Sequence, residues 1–247
     1  MTKHTAAAAL TDQALDSAAL LFRKQGFAAT TLRQVADHAG LHLGSLHYRW
    51  PTREALLAAL VERAIERATA AVRAAMATSG PPERGPAALA ERLRLGLRAH
   101  LSLLLSGDAS FHVMLYDWRS LEGNARTVLL RQRSRYEAFW DVLLREAVDA
   151  GLARPGIDAI LVRQFGFGAM NWVAQWYQPG RAGQPDAAAI ADAFWDYLAF
   201  GLLSEAGKKL LSPVVLRSPR SPRARAKPRP PKPIKPAHRP APKRGRS

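Results

Sequence analysis

Residues that can bind nucleic acid are concentrated between Ala29 and Glu54, in the segment ATTLRQVADHAGLHLGSLHYRWPTRE. Threonine, histidine, tyrosine and arginine side chains follow one another at short spacing in this segment. Their hydroxyl, ring and guanidinium groups can hydrogen-bond to the phosphate oxygens and base edges of DNA. On a small helical domain such side chains are also often merely solvated, and the same shape can bind a protein. The residue types alone therefore leave these alternatives open.

The elements that would position these side chains are two short helices joined by a turn. Thr31 and Gln34 form a capping-box pattern that opens the first helix, and Gly40 ends it. A helix-turn-helix needs a small residue where the helices cross, a glycine in the turn and an apolar anchor on the second helix. Ala36, Gly40 and Leu46 are residues of these types, at spacings of four and six. The segment therefore predicts a helix-turn-helix.

The geometry of DNA assigns roles to individual residues of this motif. The major groove admits one α-helix, whose first residues reach base edges while flanking groups bind phosphates. Helix N-termini also attract phosphate. The predicted base contacts are Leu41, His42, Leu43 and Ser45, and the predicted phosphate contacts are Thr30, Thr31, Arg33, His47, Tyr48 and Arg53.

The first 60 or so residues resemble the DNA-binding domain of the tetracycline-repressor (TetR) family of bacterial regulators. The resemblance implies a dimeric protein that binds operator DNA and a small effector. His42, His47, Trp50 and Arg53 stand where the family usually has Ser, Tyr, Phe and Lys. The residues that carry the resemblance are Leu21-Phe22, Gly26-Phe27, Thr30-Thr31, Ala36, Ala39-Gly40, Gly44, Leu46, Trp50 and Arg53-Glu54-Ala55-Leu56.

Beyond this motif the apolar residues keep a helical period. Leucines recur from Leu89 to Leu104, a second stripe runs from Leu129 to Val148, and no segment alternates apolar with polar residues. The chain is therefore predicted to be all-α. We expect an N-terminal three-helix helix-turn-helix domain (1–60), a helical effector-binding and dimerisation domain (61–206) and a disordered Pro/Lys/Arg-rich tail (207–247).

Three tryptophan-bearing clusters in the larger domain are candidates for an effector pocket. Aromatic residues at helical spacing more often belong to the core, but polar side chains accompany these rings within about a helical turn. A mainly apolar pocket with a few polar groups has this mixture. The predicted effector-binding residues are Trp118, Arg119, Arg131, Arg135, Trp140, Asn171, Trp172, Gln175 and Trp176.

The same region is similar to a branch of the TetR family, the repressors of lipid and steroid catabolism whose effectors are acyl-coenzyme A thioesters. The resemblance implies an apolar slot for the acyl chain and cations for the phosphates. In that branch a basic residue often stands where this chain has Gln175, so Arg119 or Arg131 could meet the phosphates instead. The residues that carry this resemblance are Arg135-Tyr136-Glu137, Asn171-Trp172, Trp176-Tyr177 and Pro179-Gly180.

The resemblance to the family also implies a twofold dimer formed by the last two long helices. Gly166, Gly168 and Ala169 would permit close approach of one helix to another. On the final helix one face carries apolar residues at helical spacing. The predicted dimerisation residues are Phe194, Tyr197, Leu198, Gly201 and Leu202.

The formal charge of +16 is concentrated at the C-terminus of the chain. Residues 217–247 hold 12 of the 36 Lys and Arg residues and no Asp or Glu. This segment could raise nonspecific affinity for DNA or could be a solvated extension. The chain has no cysteine, which excludes disulfides and thiolate chemistry. It also has no catalytic or phosphate-loop motif, so we expect neither an enzyme nor a cofactor.

Several further features limit the class of protein. His38, His42 and His47 lack acidic or Cys partners, so we predict no metal site. No signal peptide or membrane-spanning segment is evident, and we expect a cytoplasmic protein without a membrane partner. The leading prediction is a dimeric repressor, released from a palindromic operator by a hydrophobic effector such as an acyl-coenzyme A. The alternatives are a regulator of efflux or detoxification that senses an aromatic or lipophilic compound, and a nucleoid-type DNA binder that acts through its tail.

Overall fold

The computed structural model of the chain describes residues 3–79, 85–154, 156–178 and 180–210. Within these ranges the chain is helical, and an isolated bridge between Ala153 and Leu203 is the sole extended pairing. The all-α prediction is therefore confirmed. None of the described helices combines the length and apolar character needed to cross a membrane. The helices are α1 (Lys3–Gln25), α2 (Leu32–Ala39), α3 (Leu43–Arg49), α4 (Arg53–Ala77), α5 (Pro86–Leu104), α6 (Ala109–Tyr116), α7 (Gly123–Asp149), α8 (Ala159–Trp176), α9 (Ala187–Leu202) and α10 (Glu205–Lys209).

Helices α2 and α3 form the predicted helix-turn-helix. The capping box is present, because the Thr31 hydroxyl accepts a hydrogen bond from the Gln34 backbone N–H and the Gln34 side chain accepts one from the Thr31 backbone N–H. Gly40 takes the left-handed conformation, with φ of 64°, which is strained for residues that carry a Cβ. Ala36 and Leu46 are fully buried where the two helices meet the core formed with α1 and α4. The trio of small residue, glycine and anchor therefore has the predicted roles.

Helix α4 contributes to two hydrophobic cores. Its N-terminal half, including Leu56 and Leu60, packs with α1, α2 and α3. Its C-terminal half, including Val72 and Met76, packs with α5 and α7. The helix is continuous across residue 60, where we expected a domain boundary. A single continuous helix therefore connects the helix-turn-helix with the larger helical part.

The larger core is assembled from the two predicted apolar stripes. On α5 the buried leucines are Leu89, Leu93, Leu97, Leu101 and Leu104, and on α7 Trp140, Leu143 and Ala147 are buried. Helices α8 and α9 pack against this pair through one face each. The opposite faces of α8 and α9 are largely exposed.

Helix α10 extends the helical body to Lys209, although the predicted tail begins at residue 207. Ser204 caps this helix by accepting a hydrogen bond from the Gly207 N–H, and its own backbone N–H bonds to the Leu152 carbonyl. A side chain at position 207 would collide with the backbone of Leu152, so glycine permits the close approach. These local contacts were not visible in composition. Residues 211–247 lie outside the described part of the chain.

Candidate DNA-binding surface and ligand cavity

The recognition helix α3 presents polar side chains to the outside of the molecule. Tyr48 is 94% exposed, and Ser45 and His47 are also exposed. His42 stands at the N-cap position without a side-chain capping hydrogen bond, so its ring is not committed to the helix end. These four predicted DNA contacts are therefore all accessible to solvent on α3 and at its N-cap.

Leu41 and Leu43 have a mixed environment. Both are half-buried and pack against the core of the helix-turn-helix. Their packing fixes the start of α3, and part of each side chain remains accessible for contact with a thymine methyl group. Thr31 and Arg33 are exposed at the start of α2, although the Thr31 hydroxyl is already engaged with Gln34.

Thr30 is an exception among the predicted phosphate contacts. It is fully buried, and its hydroxyl donates a hydrogen bond to the Gly26 carbonyl at 2.9 Å. The side-chain amide of Gln25 donates to the same hydroxyl at 3.1 Å. The structure therefore assigns Thr30 to the packing of the turn between α1 and α2 rather than to a phosphate. The sequence motif indicated a polar residue here but not the direction of its side chain.

Arg53 is also engaged with the protein itself. One terminal nitrogen of its guanidinium donates to the carbonyls of Ala28 at 2.8 Å and Thr30 at 3.1 Å. The guanidinium also lies over the Phe27 ring, with its central carbon 5.1 Å from the ring centroid. Arg53 therefore ties the start of α4 to the turn before α2, next to the predicted phosphate contact Thr31.

A cavity of about 190 Å³ lies within the larger helical part, lined by residues of α4, α5, α6, α7 and α8 and of the turn after α6. Three of the predicted effector-binding residues line it: Trp118, Arg119 and Asn171. Most of the wall is apolar, and Phe111 and Phe167 contribute aromatic rings to it. The cavity therefore has the mainly apolar, partly polar wall of a small-molecule site.

Arginines surround the Trp118 ring at this cavity. The guanidinium carbons of Arg133, Arg119 and Arg126 lie 4.5, 5.0 and 5.4 Å from its centroid. In the described part of the chain no carboxylate lies within 4 Å of these guanidinium groups. Burial, together with the positive charge of Arg119, lowers the pKa of Arg133, although Glu137 acts in the opposite direction. Arg133 is half-buried, and a partly desolvated positive charge of this kind is stabilised by an anion.

The remaining predicted effector residues lie elsewhere. Trp140 is buried behind the wall, where its ring packs edge-on against Tyr136 and Phe167. Trp172 is 67% exposed and Trp176 is 43% exposed on α8. The other predicted residues that do not line the cavity are Arg131, Arg135 and Gln175, all of which are exposed.

Helical phase explains why one arginine of α7 lines the cavity and its neighbours do not. Arg133, Tyr136 and Glu137 line the cavity and Trp140 lies just behind them, at positions i, i+3, i+4 and i+7. Residues two positions away point to a different side of a helix, because each residue turns it by about 100°. Arg131 and Arg135 therefore face solvent. The spacing from the buried Trp140 could have identified Arg133 in the sequence.

His100 is a second cavity residue that sequence reasoning missed. It stands within the buried leucine stripe of α5, between Leu97 and Leu101, and it is 5% exposed. Its Nδ1 lies 2.8 Å from the Tyr136 hydroxyl, and its ring stacks on Phe167 at 5.2 Å between centroids. A polar residue within an apolar stripe is the signal that could have identified it.

The predicted dimerisation residues lie on α9. Tyr197 is 75% exposed and Gly201 is exposed, whereas Phe194 and Leu198 are half-buried and contribute to the larger core. The side chain of Leu202 lies outside the described part of the structure. Other large apolar side chains are also exposed, namely Phe165 and Trp172 on α8 and Phe200 on α9. An exposed apolar surface of this extent is typical of a protein interface.

Comparisons with known proteins identify two matching family descriptions. Residues 14–60 match "Bacterial regulatory proteins, tetR family", and residues 86–202 match "Tetracyclin repressor-like, C-terminal domain". The HTH-type transcriptional repressor KstR2 of Rhodococcus jostii is 28% identical over 200 residues, which cover 77% of this chain and 89% of that protein.

Two solved structures show the same fold. The TetR family transcriptional regulator PfmR from Thermus thermophilus is 26% identical, with a TM-score of 0.63, and the match covers 75% of this chain and 96% of that one. FadR from Bacillus subtilis in complex with stearoyl-CoA is 20% identical, with a TM-score of 0.64 and coverage of 76% and 97%.

Proposed function

Because the chain belongs to the TetR family of bacterial regulatory proteins, we propose that it is a transcriptional repressor whose dimer leaves operator DNA when a hydrophobic effector binds. In this proposal residues 1–60 bind DNA, and residues 61–206 bind the effector and form the dimer. The observation that carries it is the position of α6, which borders the cavity and packs against α1 and α4, the helices that support the helix-turn-helix. The similarity to the repressor KstR2 of Rhodococcus jostii supports the direction of regulation.

Helix α6 packs on two sides at once. Phe111 and Met114 line the cavity on one side. Ala109 and Val113 are buried on the other side, in the core shared with α1. A ligand that moves the cavity wall therefore also moves the support of α1, because close-packed interiors transmit small shifts.

Polar contacts reinforce this connection. Arg23 at the end of α1 donates to the Gly107 carbonyl before α6 at 2.6 Å. Arg67 on α4 forms an ion pair with Asp108, the N-cap residue of α6, at 2.8 Å. These contacts tie the start of α6 to both helices that support the helix-turn-helix. They favour one relative orientation of these elements in the absence of ligand.

The dimer is what converts such a movement into release from DNA. Two recognition helices must lie about 34 to 36 Å apart to enter successive major grooves. An effector releases the protein when it binds better to a dimer with a different spacing, and tight binding alone has no effect. The exposed apolar surface of α8 and α9, which includes Tyr197 and Phe200, is the proposed dimer interface.

The size and charge of the cavity limit the effector. A cavity of about 190 Å³ holds a small apolar group, since a cavity of about 150 Å³ binds benzene. A larger anionic part of the ligand would have to stay beside Trp118, where Arg119, Arg126 and Arg133 supply positive charge. An acyl-coenzyme A thioester with a short or branched acyl group has both features, and it is the effector we propose.

The test is the fluorescence anisotropy of labelled DNA from upstream of the gene, at about 150 mM salt, with scrambled DNA beside it. Acyl-coenzyme A thioesters of increasing chain length are then titrated into the complex. Selective binding that a thioester reverses, and that its free acid does not reverse, supports the proposal. Equal binding to the scrambled DNA contradicts operator recognition and indicates binding through the basic tail, which high salt then abolishes.

Arg133→Ala tests the anionic end of the effector. We expect this variant to need about tenfold or more thioester for release, because a charge-assisted contact to phosphate is lost. Arg131→Ala is the matched control, since Arg131 lies on the same helix and faces solvent. Equal loss in the two variants would contradict the assignment of Arg133.

A small aromatic compound is the second candidate effector. The rings of Phe111, Tyr116 and Phe167 line the cavity, and its volume suits a single ring. Selective DNA binding that responds to such a compound and not to thioesters would favour a regulator of efflux or detoxification.

A further inference from the structure

The cavity wall contains a buried polar group without a complete set of partners. His100 is 5% exposed, and its Nδ1 lies 2.8 Å from the Tyr136 hydroxyl. Its Nε2 has no hydrogen-bond partner among the described residues. A buried polar atom without a partner is destabilising, because it has lost its hydrogen bond to water and gained none in the protein. His100 lines the cavity described above, so a ligand bound there can satisfy this atom.

Tyr136 determines which ring nitrogen of His100 carries the proton. The Tyr136 hydroxyl has no other acceptor in the described part of the chain, so its hydrogen is satisfied when it donates to Nδ1 of His100. A neutral imidazole has one donor and one acceptor nitrogen. Nε2 is therefore the donor, and it requires an acceptor from the ligand.

The environment keeps this donor neutral. Burial lowers the pKa of His100 to about 4, and burial raises the pKa of Tyr136, so both groups are uncharged near pH 7. The charged residues that line the same cavity are Arg119, Arg133 and Glu137. Glu137 is ion-paired with Arg163 at 3.0 Å, so its carboxylate is less available to accept a hydrogen bond from the His100 ring. A neutral donor in an apolar wall suits a neutral acceptor better than a carboxylate, which is costly to desolvate.

We propose that His100 is a specificity-determining residue that donates a hydrogen bond from Nε2 to a neutral carbonyl oxygen of the effector, and that Tyr136 is the positioning residue that fixes the donor tautomer. The inference rests on the proposed function in that the cavity must bind an effector. The carbonyl can belong to a thioester or to a ketone. Less than 1 Å² of Nε2 is exposed, so neighbouring side chains of the wall must shift slightly as the ligand enters.

Two pairs of probes separate the carbonyl group from the rest of the ligand. Butyryl-coenzyme A and its thioether S-butyl-coenzyme A differ only in the carbonyl oxygen. Methylenecyclohexane differs from cyclohexanone by a =CH2 group in place of the carbonyl oxygen, and this pair contains no coenzyme A. Calorimetry on the full chain without DNA measures the affinity for each probe, so the result does not depend on operator binding.

We expect wild-type protein to bind the carbonyl member of at least one pair tenfold or more tightly, because the other member leaves the donor unpaired. A preference within the first pair identifies a thioester carbonyl, and a preference within the second pair identifies a ketone. His100→Phe keeps an aromatic ring beside Phe167 and should remove the preference. His100→Gln retains an amide donor and should keep part of it.

Tyr136→Phe should weaken the preference, since the His100 proton is no longer held on Nε2. The two probes without a carbonyl should bind as they do to the wild-type protein. His112→Phe is the control, because His112 is a histidine of α6 that does not line the cavity. This control should keep the full preference.

Equal affinity of the wild-type protein for the two members of both pairs overturns the inference. A preference that survives in His100→Phe, or the failure of both carbonyl probes to bind, also overturns it. Operator DNA is measured separately by anisotropy. Loss of operator recognition with an intact carbonyl preference would refute the proposed repressor and leave the role of His100 standing.

Discussion

The helix-turn-helix surface and the ligand cavity place polar groups in opposite environments. On α3 the side chains of Ser45, His47 and Tyr48 are exposed and hydrated, so they contribute little to folding. In the cavity His100 and Arg133 line a mainly apolar wall, where burial lowers the pKa of both groups. We therefore expect substitutions on the first surface to change affinity for DNA alone, and substitutions in the second to change stability and ligand binding together.

The largest effect is expected where the exposed surface meets its own core. Leu46→Ala removes a side chain that is 1% exposed beneath the recognition helix. We expect a loss of about 2 to 5 kcal/mol in the free energy of unfolding, because a cavity forms in the core. Urea unfolding measures the loss, and operator affinity should fall with it.

Leu20→Ala is the comparison for that substitution, since Leu20 is 53% exposed on α1. Its effect on the free energy of unfolding should be small. An Ala substitution at Leu46 that left stability unchanged would contradict the packing role of this residue.

The second effect concerns the cavity and depends on pH. The pKa of His100 is lowered by burial to about 4, whereas an unfolded histidine titrates near 6.5. Between these pH values the unfolded chain therefore binds more protons than the folded chain. The contribution of His100 to stability is fully present above pH 6.5 and is lost as pH falls towards 4. The full difference corresponds to roughly 3 kcal/mol.

Urea unfolding at several pH values between 7 and 4.5 checks this expectation against His100→Gln. The free energy of unfolding of the variant should change less with pH, because glutamine does not titrate. The difference in slope should correspond to about one bound proton. The other titrating groups are common to both proteins and cancel in the comparison. The same pH dependence in the two proteins would show that His100 does not titrate with a lowered pKa.

The two regions also differ in how far the sequence predicts them. The helix-turn-helix depends on contacts between residues close in the chain, such as the Thr31–Gln34 capping box and the left-handed Gly40, and these have recognisable residue types. The cavity depends on which faces of α5, α6, α7 and α8 meet. Neither the composition nor the family resemblance shows that Arg133 and His100 converge on one space.

The direction of a side chain is the second limit on prediction. The sequence shows that Thr30 and Arg53 belong to the motif. It does not show that Thr30 points inward or that one terminal nitrogen of Arg53 donates to backbone carbonyls. The phase of α7 is an intermediate case. Trp140 marks its buried face, and counting back from it selects Arg133 over Arg131 and Arg135.

A smaller effect is expected at Arg53, which connects the exposed surface with the protein interior. Arg53→Lys keeps the charge but loses the planar group that stacks on Phe27 and bonds to several carbonyls. We expect a loss of about 1 to 2 kcal/mol in stability, from one or two hydrogen bonds.

Operator affinity should also fall in Arg53→Lys, because the turn before α2 is less well held. Arg145→Lys is the control at an exposed position on α7. If Arg53→Lys lowered only DNA affinity and left unfolding unchanged, Arg53 would act at phosphate directly rather than through the turn.

The smallest effect is expected at Tyr48, which tests the exposed surface in isolation. Tyr48 is 94% exposed, so Tyr48→Phe removes a hydroxyl without disturbing any packing. Stability should stay within about 0.5 kcal/mol of wild type, as is usual for surface substitutions. Loss of one neutral hydrogen bond to phosphate should weaken operator binding by about 0.5 to 1.5 kcal/mol, measured by anisotropy at fixed salt. Scrambled DNA should lose the same amount, because a phosphate contact carries no sequence information; a loss confined to the operator would instead place the Tyr48 hydroxyl at a base edge.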